Sequence, residues 1–164
     1  MIGSLSYFVN NHHINLKSGW RVILTVTSNC FEEEEDKVIK EKAYAILRKI
    51  YESGFTIFNL EENYTDIVQI LGKLTREREE FYGLGCLQII QLIVDYYHQK
   101  LGLNLDEDID AKVNEVDIHF WQTVFLPLLS IIFPMCGDCR PKVQAPAIKA
   151  LFSILMKYGK LFKY

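Results

Sequence analysis

Apolar residues recur along the chain at the three-and-four spacing of amphipathic helices, and the strict alternation that marks strands is nearly absent. Residues 2–9 form a short apolar stretch ended by Asn10 and Asn11, which reads as the tail of a helix. Ser18 is placed to cap a helix running to about Thr27, with Trp20, Ile23, Leu24 and Thr27 on one face, so Trp20 is expected to be a core residue. After the acidic run Glu32–Asp36, a second helix carries Val38, Ile39, Ala43, Ile46, Leu47 and Ile50, and Gly54 closes it. Carboxylates ahead of that helix favour its dipole. Phe55–Leu60 has strand length but lies between helices and reads as an inter-repeat connection. Further helices are predicted at about 61–76 (Tyr64, Ile67, Val68, Leu71, Leu74) and about 79–101. The latter is apolar on nearly every side from Leu84 to Val94, so neighbours must cover most of its circumference. A polar loop, Gly102–Glu115, leads to helices at about 117–135 and 141–158, joined by the turn Cys136–Arg140.

These elements group into three helix pairs, 18–53, 61–101 and 117–159, with residues 1–17 as the tail of a preceding repeat. A spacing of about 40 to 50 residues is that of HEAT or armadillo arrays, whose stacked pairs bury a continuous core. The predicted fold is all-α: a HEAT/armadillo-like α-solenoid of about three pairs, one segment spanning 1–164, with a compact helical bundle as the alternative.

Composition supports a folded chain. Of 164 residues, 49% are hydrophobic and 24% charged, and a chain of this length buries roughly 70% of its unfolded surface without needing disulfides or metal. The net charge of −3 supplies no long-range positive field, which argues against nucleic acid as a partner. Cys30, Cys86, Cys136 and Cys139 are too few and too scattered for a disulfide scaffold and read as cytosolic thiols. The N-terminus lacks the basic start and apolar core of a signal peptide, and no stretch is long and apolar enough to span a membrane.

Candidate chemistry is sparse. Cys136-Gly-Asp-Cys139 suits a redox dithiol or half of a zinc site, but a helix rather than a strand precedes it. No second ligand pair is evident: Cys30 and Cys86 are single, and His12, His13, His98 and His119 lack ligand spacing beyond the adjacent first two. Asp106, Asp108 and Asp110 resemble the start of a calcium loop with Asp117 at its twelfth position, yet Ala111 stands where the turn requires Gly. An acidic inter-repeat loop is the plainer reading. The run Glu32–Asp36 reads as a solvated helix start or a docking surface for a basic partner. Gly83-Leu-Gly85 lies inside a helical pattern, where it permits close helix packing at a cost in stability. No catalytic constellation is expected, and neither is a metal or cofactor.

Two stretches resemble a known family. Asn15-Leu-Lys-Ser-Gly-Trp20, followed by Ile23, Val26, the acidic gap, Val38, Ala43, Ala45 and Leu47, is similar to the segment that opens a helical repeat in the large Arf guanine-nucleotide exchange factors (the Sec7/BIG type). That segment lies in the first homology domain downstream of their catalytic domain (HDS). Residues 121–162, with Trp121, Phe125-Leu-Pro-Leu-Leu, Asp138-Cys-Arg-Pro-Lys-Val and Ala150-Leu-Phe-Ser-Ile-Leu, are similar to the close of the same region. The pattern departs at Val143-Gln144, where the family and HEAT repeats in general have Val-Arg; Arg140 is the candidate replacement in the Asp-Arg ladder.

The resemblance implies a fragment without the catalytic exchange domain: a non-enzymatic regulatory and recruitment segment, cytoplasmic and peripheral at Golgi and endosomal membranes. The partners it implies are an Arf-family or other small GTPase, an anionic membrane surface and other domains of the parent protein. The alternatives are an exchange-inactive Golgi scaffold of the related family and a generic HEAT-repeat adaptor. Candidate binding residues are Lys142, Lys149, Lys157 and Lys160, with Lys163, whose spacing keeps them near one side of the last helix and its end.

Overall fold

The structure, a computed structural model, describes residues 2–12, 19–32, 36–53, 58–100 and 120–158, the side chains of Asn10 and His12 excepted. The proposed cap Ser18, the closing Gly54 and the loop 102–115 lie outside them. The described residues form helices α1 (Ile2–His12), α2 (Trp20–Glu32), α3 (Lys37–Glu52), α4 (Leu60–Leu74) and α5 (Glu80–Lys100), then a π-helical turn, Trp121–Phe125, continuing into α6 (Leu126–Cys136), and α7 (Pro141–Tyr158). No strand occurs among them, and the all-α, helical-repeat reading is borne out. Two compact units divide the chain, residues 1–78 and 79–164, so the second expected pair straddles the boundary.

In the first unit, α2 packs most extensively on α4, α1 on α3, and α2 also on α3. Lys73, near the end of α4, reaches Ser28 and Glu32 near the end of α2, so those alternate helices run in the same sense. Parallel packing of every second helix, with antiparallel packing inside a pair, is how helical repeats stack. Trp20, Ile23, Leu24 and Thr27 are all buried, as expected, and Trp20 stacks edge-on to Phe58 with centroids 5.4 Å apart.

α2 does not end at Thr27 but runs to Glu32. Thr27 is a poor stop because its hydroxyl is satisfied inside the helix, donating to the Ile23 carbonyl at 2.8 Å, and Phe31 one turn later is also buried. The next helix starts where Asp36 accepts a hydrogen bond from the Val38 amide at 2.8 Å, the last residue of the acidic run serving as its cap. Asn59 likewise caps α4.

In the second unit, α7 packs on both α5 and α6. α5 is buried along most of its circumference, including Tyr82, Cys86, Ile90, Ile93 and Val94, as its all-round apolarity required. The widened turn before α6 was not foreseen. Pro127 has no N–H for the carbonyl four residues back, and the Leu126 amide bonds instead to the Trp121 carbonyl five residues back.

Candidate functional site

Three of the candidate lysines, Gly83 and the Cys136–Cys139 turn meet on or beside α7. Its buried face is Val143, Ala147, Ile154 and Tyr158. A Cβ on Gly83 would stand 3.1 and 3.2 Å from the two methyls of Val143, so this glycine is what lets α5 and α7 close together. Near the other end, the Tyr158 hydroxyl donates to the Val94 carbonyl at 3.0 Å, and burial, helped by the Asp95 charge, pushes the phenol well above its ordinary value. The Tyr158 ring lies 4.5 Å from Phe125 and 5.7 Å from His98. Glu80 and Gly83 thus face Lys142 and Val143 while Val94 and Asp95 face Lys157 and Tyr158, so α5 and α7 are parallel.

The candidate lysines have different surroundings. Lys142 is exposed and pairs with Glu80 at 3.1 Å, whereas Lys157 is half-buried and turned toward α5, where it pairs with Asp95 at 2.9 Å. Lys149 is exposed between them and makes no ion pair with a described residue. It stands at the rim of an open groove of about 360 Å³ between α5 and α7, with Leu84, Leu87, Pro146 and Ala150 as apolar lining and Gln88, Gln91 and Ser153 as polar lining. Lys160 and Lys163 lie outside the described residues.

Three further residues of this surface are not evident from the lysine spacing. Ile148, Phe152 and Met156 are 39%, 62% and 82% exposed. They follow each other at steps of four, along a line opposite the buried face of α7. Their signal in the sequence is that apolar spacing, offset from the Val143–Ala147–Ile154–Tyr158 set. A second signal is charge. Five of the chain's 18 basic residues and none of its 21 acidic residues fall in 141–164, so that segment carries +5 and the preceding 140 residues −8.

The turn between α6 and α7 is a structural lock. Asp138 accepts from the Arg140 amide and from its Nε, both at 2.8 Å, and from Nη2. Those bonds hold the carboxyl down to about 2. Arg140 is therefore engaged two residues from itself, and Gln144, where repeats commonly have Arg, donates to the Cys136 carbonyl at 3.2 Å and caps α6. Cys136 is half-buried and Cys139 exposed, and burial raises the Cys136 thiol, the opposite of what an activated dithiol needs.

Cys86 is fully buried and its thiol is pushed far up by desolvation, and Cys30 is half-buried in α2. His98 packs edge-on to Tyr158, with Nδ1 buried and without a hydrogen-bond partner among the described residues. Among the described residues, no three His, Cys, Asp or Glu side chains gather to hold an ion, and no helix is long and apolar enough to cross a membrane. Asp106, Asp108, Asp110, Asp117, His13 and His119 lie outside the described residues, as do Glu33, Glu34 and Glu35. The described ends of the acidic run are used inside the fold. Asp36 caps α3, and Glu32 pairs with Lys73, which holds its carboxyl below the usual range.

Residues 1–49 match the family model described as Mon2/Sec7/BIG1-like, HDS. The chain is also similar to brefeldin A-inhibited guanine nucleotide-exchange protein 4 of Arabidopsis thaliana, 26% identical over 176 aligned positions that cover 99% of this chain and 10% of the relative. The chain thus spans about a tenth of the length of that curated relative. No solved structure matches it. The family match within α1–α3 and the whole-length similarity together bear out the resemblance carried by residues 15–20 and 121–162, that of a Sec7/BIG-type HDS segment.

Proposed function

We propose that this chain is a non-catalytic regulatory and recruitment segment of a large Arf guanine-nucleotide exchange factor, working at the cytoplasmic face of Golgi and endosomal membranes through protein and membrane-surface contacts. The observation that carries the reading is the match of residues 1–49 to the HDS model rather than to a catalytic domain, joined to similarity along 99% of the chain with a protein named for nucleotide exchange. The surface chemistry agrees with it. What the described residues expose on α7 is a cationic and apolar face, suited to contact rather than to bond-making.

The test has two parts. The purified chain should leave the rate of nucleotide exchange on Arf unchanged, and it should float with anionic liposomes bearing GTP-loaded Arf. A variant with Lys142, Lys149 and Lys160 changed to Glu, leaving Lys157 in its pair with Asp95, should float less. Exchange activity in the chain alone, or equal flotation of the two proteins under every condition, contradicts the reading.

A further inference from the structure

We infer that the outer face of α7 enters the headgroup layer of an anionic bilayer, with Phe152 and Met156 as the inserting side chains, Ile148 at the edge of the contact, and Lys142 and Lys149 as the flanking phosphate-binding cations. The inference rests on the membrane contact proposed above and goes beyond it: that reading needs only cations near a surface, whereas this one assigns insertion to named apolar residues.

Three observations carry it. The first is exposure: Phe152 and Met156 are 62% and 82% exposed, although α7 already buries Val143, Ala147, Ile154 and Tyr158 on its inner side. The core does not need these side chains, and large apolar groups on one line of a helix mark an interaction surface.

The second is geometry. At 3.6 residues per turn, Ile148, Phe152 and Met156 advance by about 40° a step, and Lys149 and Lys142 lie about 60 to 80° round from Phe152. An apolar line bordered by lysines is the pattern of a helix lying in the plane of an interface, where the stems of the lysines reach along the apolar layer and their ammonium groups stay at phosphate level. Lys157, turned inward to Asp95, is not part of this arc.

The third is charge complementarity. α7 contains three lysines and no acidic residue of its own; Lys142 and Lys157 pair with Glu80 and Asp95 of α5, and Lys149, which pairs with no described residue, is the cation most open to anionic lipid. Near an anionic surface each such charge strengthens binding by about five-fold at ordinary ionic strength, which is too little for stable binding unless apolar insertion adds to it.

The experiment is flotation of the full 164-residue chain with vesicles of phosphatidylcholine alone and of phosphatidylcholine with 30% phosphatidylserine (a composition chosen as roughly that of an anionic leaflet). Four variants are compared: Phe152→Asp, Met156→Asp, Lys142→Glu with Lys149→Glu, and Val22→Asp, the last at a 66%-exposed apolar position of α2 as control. Circular dichroism and the unfolding midpoint confirm that each is folded. The wild type and the Val22 variant should bind only the anionic vesicles. The Phe152 and Met156 variants should each lose about ten-fold or more in partitioning, and binding by the lysine variant should fall at least as far. If the lysine variant loses binding but the Phe152 and Met156 variants match the wild type, contact is electrostatic and the insertion is overturned while the membrane reading stands. If the wild type binds neither vesicle, the insertion is overturned, and the wider reading is decided by the flotation with GTP-loaded Arf described above. Self-association that Phe152→Asp abolishes, with no vesicle binding, would assign the face to a second copy of the chain and overturn the proposal.

Discussion

The two units tie lysines to sequence-distant carboxylates alike but differ in the surfaces they present. In residues 1–78 the interior-facing lysines are tied to sequence-distant partners: Lys73 to Ser28 and Glu32, and Lys40 to Glu77 at 2.7 Å with both side chains largely covered. Helix starts there are closed by Asp36 and Asn59. In residues 79–164 the core is held by aromatic packing around Tyr158, and α7 leaves Lys149 exposed beside a line of exposed apolar residues. Both units expose apolar side chains, Val22 beside Arg21 among them in the first, but on α7 three such residues follow one line beside Lys149. A surface meant for a partner is one on which a fold leaves both kinds of group unsatisfied.

That contrast can be broken first at the cores. Trp20→Ala should cost about 3 to 5 kcal/mol in chemical denaturation, because the indole is 2% exposed and packs on Phe58. Phe152→Ala, a truncation of comparable kind on an exposed face, should stay within about 0.5 kcal/mol of wild type. A loss of several kcal/mol at Phe152 would mean that this face is part of the core.

Next comes the α5–α7 contact. Tyr158→Phe should destabilise by about 0.5 to 1.5 kcal/mol, since it removes the bond from the hydroxyl to the Val94 carbonyl, which keeps its partner inside α5. Gly83→Ala should cost about 1 kcal/mol net in the same measurement. The helix propensity gained, up to about 1 kcal/mol, is outweighed by pressing a methyl on the stiff, buried Val143.

The smallest effect is at the α6–α7 turn. Asp138 has its carboxyl lowered from an ordinary 3.8 to about 2 by Arg140. A depressed folded value means the stabilisation is fully present above about pH 4 and is lost as pH falls toward 2. Asp138→Asn should therefore flatten the stability profile between pH 4 and 2 and lower the plateau above it. An unchanged acid limb would show that the Asp138–Arg140 pair contributes nothing to the turn.

Much of this architecture was legible in the residues. The spacing of Val38 through Ile50 and of Tyr64 through Leu74 placed α3 and α4, because one-sided burial writes a 3.6-residue period into the sequence. The failures have local causes. α2 outran Thr27 because a β-branched hydroxyl residue can bond inside its own helix, and the widened turn at Trp121–Phe125 follows from Pro127, whose effect reaches back a turn and a half. The candidate surface was half legible: lysine spacing pointed to α7, but the inward turn of Lys157 and the exposure of Phe152 and Met156 depend on where α5 packs, which spacing alone does not encode.

The most direct test of the contrast is one fluorescence comparison. Tryptophan is introduced singly at Met156 and at Val22, exposed apolar positions in the two units, and emission is recorded with and without phosphatidylserine-containing vesicles, the signals of Trp20 and Trp121 being subtracted with the wild-type chain. The account expects a blue shift for Met156→Trp on adding anionic vesicles, none with neutral vesicles, and none for Val22→Trp in either. No shift at 156, or equal shifts at both positions, would contradict it.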